Sequence, residues 1–163
     1  MQKLEQLALR MVEFDAGDAK RIQHFLKVHS FAHLICVGEG VPEHTRLLTE
    51  AAALVHDIGI HAAEAKYGRC DGKLQEQEGP APAAALLRET GFDEADVQRI
   101  CYLVAHHHTY DAVDGPDYRI LLEADFLVNA YEDALPVGAV RTARERIFET
   151  ATGTRLLNTM LAL

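Results

Sequence analysis

The sequence predicts an all-α protein, and three observations support this prediction. Apolar residues recur at spacings of three and four along most of the 163 residues, which is the spacing of a buried helix face. Glycine and proline cluster between these periodic segments, and no segment shows the strict alternation of a half-buried strand. With 48% hydrophobic residues, the chain is long enough to form a single domain around one core.

The first part of the chain contains three predicted helices. Asp18 is a candidate N-cap for the second of them, which continues to about residue 38. The third helix runs from about Glu43 to Asp57, and Gly59 permits a turn after it. The first helix is marked by apolar residues at helical spacing, namely Leu4, Leu7, Met11 and Phe14.

The second part begins with residues 61–79, which are polar and punctuated by glycine, so we expect them to be largely irregular with a short helix near His61. We expect one domain over residues 1–163, with a core at about 18–135 on which residues 139–162 pack. The expected elements after residue 79 are a helix from Pro80 to about Gly91, a helix from Asp93 or Glu94 to the histidine triplet, a loop over 109–117, a helix over 118–131, and a helical section over 139–162 with Gly153 as its candidate break.

The composition restricts the class of partner. The formal net charge of −9 argues against binding to nucleic acid polymers or anionic membranes, because both favour basic surfaces. A local basic patch could still bind a small phosphorylated substrate. The three cysteines are far apart in the sequence and form no CxxC motif. They are therefore expected to be free thiols in a reducing compartment. No stretch resembles a signal peptide or a bilayer span, so a cytoplasmic protein is the expectation.

The residue pattern predicts a buried metal centre. His56 and Asp57 follow the apolar run 51–55, where an imidazole and a carboxylate are costly unless something neutralises them. Each such residue alone could be an ordinary core or surface side chain, and Glu123 and Glu132 are expected to be solvated. Jointly, four helices bring metal-ligand side chains to inward positions, which favours a divalent metal. The other inward-facing candidates are His24, His107 and Asp125.

The order of these residues resembles the H…HD…D signature of the HD-domain metal-dependent phosphohydrolase superfamily. The resemblance is carried by the segments 24–28, 52–59 and 123–125, and it extends over about residues 18–135. The chain is similar to the small, single-domain, bacterial-type members of this superfamily. The resemblance implies a helical bundle of the HD type, hydrolysis of a phosphate ester, and one or two divalent metal ions per chain, with Fe or Mn favoured and Zn as an alternative.

The resemblance also implies a ligand set. The first metal would be bound by His24, His56, Asp57 and Asp125. Two-metal members, which include the HD-GYP phosphodiesterases, carry a further histidine where residues 75–80 of this chain contain none, so Glu78 or Glu76 is the candidate replacement. The chain lacks a GYP element, so hydrolysis of cyclic di-GMP is not expected. A second metal would be bridged by Asp57 and completed by His106, His107 and Glu78, although the sequence leaves open which of His106, His107 and His108 are ligands.

Several polar residues after the His56–Asp57 pair are candidates for catalysis and substrate binding. The candidate catalytic residues are Asp57, His61 and Glu64, the last two for proton transfer or water positioning. The candidate substrate-binding residues are Lys66, Arg69 and Lys73, which place three cations in a glycine-rich segment of an acidic protein. Such a segment suits a phosphate group, and an ordinary solvated loop is the alternative.

Three functions remain open from the sequence. The leading hypothesis is the hydrolysis of a small phosphomonoester or phosphodiester, nucleotide-like in character, by metal-activated hydroxide. An HD-fold di-iron oxygenase is an alternative because a histidine-rich site suits iron, and a non-catalytic nucleotide-binding module is another. The section 139–162 either packs on the core or forms the face of a homodimer, and the sequence does not decide between them.

Overall fold

The computed structural model describes all 163 residues and confirms the all-α prediction. It consists of ten helices and contains no strand. The helices are, in chain order, α1 (Lys3–Phe14), α2 (Ala19–Glu39), α3 (Glu43–Val55), α4 (Ile60–Tyr67), α5 (Gly72–Glu78), α6 (Pro80–Glu89), α7 (Glu94–Val104), α8 (Pro116–Glu132), α9 (Val137–Ile147) and α10 (Ala151–Leu161).

Local signals in the sequence explain where several helices begin. The Asp18 carboxylate accepts a hydrogen bond from the backbone N–H of Arg21 at the start of α2, as the sequence predicts. Asp93 caps α7 in the same way, by accepting from the backbone N–H of Asp96. Helix α8 begins at Pro116, where the missing N–H of proline costs no helical hydrogen bond.

Two stretches differ from the prediction. The region expected to be largely irregular contains α5 as well as the short helix α4, because Asp71 caps α5 by accepting from the backbone N–H of Leu74. The polar composition of α5 concealed it from the periodicity analysis. The C-terminal section divides between Ile147 and Ala151 and not at Gly153, because Thr150 caps α10 and Gly153 lies in its first turn.

Helices α2, α3 and α8 pack against one another at the centre of the fold. Helix α3 is buried at every position from Leu48 to Val55, so it lies inside the bundle and its end is enclosed by its neighbours. A cluster of 34 buried apolar residues extends from α1 to α10. No helix has the length and hydropathy that a membrane span requires. The three central helices carry His24, the His56–Asp57 turn and Asp125 into the interior.

Two glycines allow the chain to cross itself beside the His56–Asp57 turn. A Cβ atom on Gly59 would lie 2.6 Å from the backbone N of Gly79 and 2.9 Å from the carbonyl O of Gln75. Both glycines have φ values that any residue adopts, −77° and −72°. Close approach of two backbones, and not a special turn conformation, therefore explains glycine here. The crossing holds α5 against the turn that carries Asp57.

A buried carboxylate joins α8 to α10. Glu123 has no exposed surface, so the expectation that it is solvated is wrong. Its Oε1 accepts from the backbone N–H groups of Glu149 at 2.7 Å and Thr150 at 2.9 Å, and its Oε2 accepts from the Thr150 hydroxyl at 2.5 Å. These bonds satisfy donors before and at the start of α10, and they hold α10 against the helix that carries Asp125.

Replacement of Gly153 by alanine should destabilise the protein. A Cβ atom at this position would collide with Glu123 Oε2 and lie 2.7 Å from Thr150 Oγ1, and the three hydrogen bonds of Glu123 prevent it from yielding easily. We expect Gly153→Ala to lower the free energy of unfolding by about 1–3 kcal/mol, measured by denaturant titration. Gly138→Ala is the matched control, because a Cβ there meets nothing within 4 Å and alanine in a helix should stabilise by about 0.5–1 kcal/mol. Equal effects of the two substitutions would contradict the role of Glu123.

Candidate metal centre

Four side chains bring their ligand atoms together between α2, α3 and α8, and we call them the first group: His24, His56, Asp57 and Asp125. The Nε2 atom of His24 lies 3.2 Å from His56 Nε2, 3.2 Å from Asp125 Oδ1 and 3.3 Å from Asp57 Oδ2. His56 is 0% exposed and Asp125 is 7% exposed. The structure therefore assembles at one buried point the four residues that the sequence predicts as ligands of a first metal.

A second group adjoins the first and consists of Asp57, His107, His108 and Gln75. Asp57 Oδ1 lies 3.4 Å from His107 Nε2, and the ligand atoms of Asp57, His107 and His108 all lie within 4.8 Å of one another. Gln75 Oε1 lies 2.8 Å from His108 Nε2 and 3.3 Å from His107 Nε2. Asp57 thus belongs to both groups, with one oxygen in each.

Hydrogen bonds direct histidine lone pairs into both groups. His56 Nδ1 lies 2.8 Å from the carbonyl O of Ala53, and His107 Nδ1 lies 2.7 Å from the carbonyl O of Val104. Since a carbonyl oxygen only accepts, Nδ1 carries the proton in both rings, and Nε2 of the neutral imidazole carries a lone pair. Both Nε2 atoms face oxygens of Asp57 at 3.4–3.5 Å. Lone pairs facing carboxylate oxygens require a cation between them, either a metal ion or an additional proton.

Two further side chains support the first group, and the sequence analysis did not identify them. His24 Nδ1 donates to Glu132 Oε1 at 3.3 Å, the arrangement by which a carboxylate orients a metal-binding imidazole. Arg21 donates to Asp57 Oδ2 at 2.9 Å. Glu132 was expected to be solvated, and that is wrong, since its side chain is 13% exposed. Helical spacing could have revealed both, because Arg21 precedes His24 by three residues and Glu132 follows Asp125 by seven.

Electrostatics keep the two central carboxylates ionised. Burial raises the pKa of Asp57 and Asp125, but the positive charge of His56 together with hydrogen bonds from His107 to Asp57 and from His24 to Asp125 outweighs burial and holds both pKa values well below the ordinary range. Burial lowers the pKa of His56, but Asp57 and Asp125 raise it to about 9. Burial and the nearby His107 lower the pKa of His108 to about 4. Without metal, a proton on His56 therefore supplies the positive charge that the carboxylates require.

The structure does not bring His106 into either group. Its Nδ1 donates to the carbonyl O of Tyr102 at 2.7 Å, and its ring stacks on the Tyr102 ring at a centroid distance of 4.1 Å. His108 lies in the second group, where the sequence analysis placed His106. Helix α7 ends at Val104, so the triplet lies in a turn and the angular spacing of a helix no longer predicts which ring faces inward.

Glu78 also lies outside both groups. Its Oε1 accepts from Lys66 Nζ at 3.1 Å and from the Tyr67 hydroxyl at 2.9 Å, so the predicted ligand and a predicted substrate-binding cation pair with each other. Gln75 takes the place beside His107 and His108. The other candidate carboxylate, Glu76, accepts from the backbone N–H of His108 at 3.0 Å and supports this turn without facing the second group.

The candidate proton-transfer residues His61 and Glu64 lie on α4 and belong to neither group. His61 Nε2 lies 3.2 Å from Asp15 Oδ1 and 3.6 Å from Asp18 Oδ2, and its Nδ1 lies 3.9 Å from Glu64 Oε2. Neither side chain hydrogen-bonds or pairs with a member of the first or second group. Their contacts join α4 to the segment that precedes α2.

Two of the three predicted cations lie beside the second group. Arg69 and Lys73 line a surface cleft of about 540 Å³ whose wall also includes His108. Arg69 pairs with Asp71 at 2.9 Å and its side chain is 72% exposed. His108 is the member of the second group that lines this cleft, and the carboxylates of Asp71 and Glu76 line it as well.

Comparisons with known proteins identify the family and the fold of the chain. A family model described as HD domain matches residues 21–139. Among solved structures, the chain is similar to the crystal structure of a predicted HD superfamily hydrolase from an uncultured Thermotogales bacterium, with 23% sequence identity and a TM-score of 0.71 over 99% of this chain and 86% of that one. At this identity the likeness concerns the fold. No curated protein resembles the chain closely enough to count as a match.

The stability of the metal-free protein should fall as the pH rises between about 6.5 and 9. The pKa of His56 is raised from 6.5 to about 9 on folding, so its contribution is complete below 6.5 and is lost as the pH rises through the folded value. The midpoint of thermal unfolding is measured in the presence of a chelator at several pH values across this range. Added Mn²⁺ should raise the midpoint more at higher pH, because the ion and the His56 proton compete. A metal-induced shift that is independent of pH would contradict this competition.

Proposed function

Since the chain belongs to the HD domain family, we propose that it is a metal-dependent phosphohydrolase that acts on a small, nucleotide-like phosphomonoester or phosphodiester. One observation carries the proposal: imidazole lone pairs and carboxylate oxygens converge on a buried point. The first group is drawn from α2, α8 and the turn after α3, and the second group extends it. This arrangement favours a metal centre over a set of ordinary buried polar residues, because four ligand side chains from separate parts of the chain converge on one point whose negative charge must be balanced.

The donor set fits one or two divalent ions. His24, His56, Asp57 and Asp125 would hold the first ion, and Asp57, His107, His108 and the Gln75 carbonyl would hold a second. Nitrogen and oxygen donors without a thiolate suit Fe and Mn, with Zn as an alternative. When bound, such an ion lowers the pKa of its water to about 7 and so supplies hydroxide at neutral pH.

The remaining residues of the site position this chemistry. Glu132 orients the His24 ring through its Nδ1 hydrogen bond, and Arg21 balances part of the negative charge of Asp57. The backbone carbonyls of Ala53 and Val104 hold the tautomers of His56 and His107. His61, Glu64 and Lys66, whose contacts lie elsewhere, have no part in the proposed site.

The cleft beside His108 supports a phosphorylated substrate. Its volume of about 540 Å³ falls within the range of about 300–1,000 Å³ that is usual for small-molecule sites. Leu74 is the one hydrophobic residue of its lining, and Arg69 and Lys73 supply positive charge. The two carboxylates of the lining are engaged, since Asp71 pairs with Arg69 and Glu76 accepts hydrogen bonds from His108 and Thr109. A phosphate bound by these cations would lie next to the second group, which suits a polar ester better than an apolar ligand.

Substitution of Asp57 should remove metal and activity together. Because Asp57 supplies an oxygen to each group, we expect Asp57→Ala to lose most of the metal that the native protein retains, measured by elemental analysis. We also expect it to lose phosphate release, by at least about 100-fold, from an aryl phosphate and a panel of nucleoside monophosphates. Native protein that binds no metal after reconstitution would exclude the proposal and favour a non-catalytic nucleotide-binding module.

A matched pair of histidine variants separates the two groups. His108→Ala should lose one metal equivalent if the second site fills, whereas His106→Ala should keep it, because its ring stacks on Tyr102. Phosphate release should proceed equally with and without oxygen. Oxygen consumption that requires iron, without phosphate release, would instead favour the di-iron oxygenase.

Lys73 and Lys66 provide a further matched pair. Lys73→Met should lower kcat/KM by about 3–10-fold, mainly through KM, because it removes a cation from the cleft without touching the metal ligands. Lys66→Met should have little effect, since Lys66 pairs with Glu78. Steady-state kinetics on the best substrate of the panel gives both values, and a larger effect of Lys66→Met would show that the phosphate binds elsewhere.

A further inference from the structure

A separate histidine cluster lies between α2 and α3, away from the metal centre. Glu50 is 5% exposed, and its two carboxylate oxygens face two different imidazoles. Glu50 Oε2 lies 3.2 Å from His29 Nε2, and Glu50 Oε1 lies 2.8 Å from His33 Nδ1. None of the three side chains contacts the first or second group, and the proposed phosphohydrolase function does not use them.

The Glu50 carboxylate is ionised in spite of its burial. Burial raises its pKa, but the hydrogen bonds from His29 and His33 outweigh burial and hold the pKa below its ordinary value. A buried carboxylate that stays charged needs a positive partner. Glu50 now has such partners in the two imidazoles and in Arg46, and a divalent cation held by the imidazoles would take over this role.

His29 and His33 are four residues apart on α2, so they share one face of the helix. This spacing is the one at which a helix presents two imidazoles to a single zinc ion. With Glu50 on α3 they form a set of two histidines and one glutamate, which leaves the fourth position of tetrahedral zinc open. We propose that His29, His33 and Glu50 bind a zinc-type divalent cation at a site distinct from the metal centre.

The surroundings of the cluster allow an ion to enter. A cleft of about 1050 Å³ includes all three residues in its lining. The two imidazoles contact different oxygens of Glu50, so a shared ion requires rotation of the His33 ring, whose side chain is 48% exposed. Arg46 Nε lies 3.6 Å from Glu50 Oε1, and its side chain, 38% exposed, can move into solvent when the ion enters.

The test counts Zn²⁺ bound per chain. Native protein and its variants are dialysed against excess Zn²⁺ at one fixed pH near neutral, because proton and metal compete for these ligands, and their metal content is then measured by elemental analysis. We expect His33→Ala and His29→Ala each to bind one equivalent less than the native protein. His44→Ala is the matched control, because His44 lines the same cleft but hydrogen-bonds to Asp96 at 2.8 Å. It should keep the full number of equivalents.

A spectroscopic readout makes the result independent of activity. The Asp57→Ala substitution is used to weaken metal binding at the metal centre. Co²⁺ bound to this variant should give a visible absorption band from the site formed by His29, His33 and Glu50, and the added His33→Ala substitution should abolish the band. Thermal midpoints of the metal-free variants confirm that they fold, and His33→Gln serves as a second variant if His33→Ala does not. Equal Zn²⁺ content in the native protein, His29→Ala and His33→Ala, or a Co²⁺ band that survives His33→Ala, would overturn the proposal.

Discussion

The fold depends on how Asp57 is accommodated. Its carboxylate is 11% exposed and is shared by His24, His107 and Arg21, which reach it from α2 and from the turn after α7. An ionised carboxylate is stable inside a protein only when its partners are held in place. The turn after α3 must therefore lie where the other helices converge. The packing of α2 and α8 on α3 holds this turn in place, and so does the close contact between Gly59 and Gly79.

The sequence was informative where a regular helix sets the direction of a side chain. His24, His56 and Asp125 each follow an apolar residue of the same helical face, so their inward direction could be read from spacing, and the family resemblance supplied the ligand order. The prediction of side-chain directions failed where no apolar periodicity marks the inner face of a helix. His106 and His108 lie in a turn beyond α7, and Gln75 lies on a polar helix without periodicity. Their directions depend on tertiary contacts that no local pattern encodes.

Helix α2 serves two histidine clusters at once. His29 follows His24 by five positions, which corresponds to about 140° around the helix axis, so one face of α2 turns towards Asp57 and another towards Glu50. Both clusters follow the same rule: a buried carboxylate keeps its charge because imidazoles surround it. An acidic protein can in this way concentrate positive or neutral nitrogen donors at a few interior points while its surface stays negative.

The contact between Gly59 and Gly79 has a consequence for how the protein could be diversified. The two ends of the segment 60–78 meet at this point, where two backbones touch. The two sides of this segment are held by contacts of His61 with Asp15 and of Gln75 with His108. At its tip, Arg69 has a side chain that is 72% exposed and pairs with Asp71 of the same segment. Insertions or exchanges at the tip can reshape the wall of the cleft while the turn that holds Asp57 stays in place. The tip is therefore the part of this segment that can vary in sequence and length while Gln75 and Asp57 keep their positions.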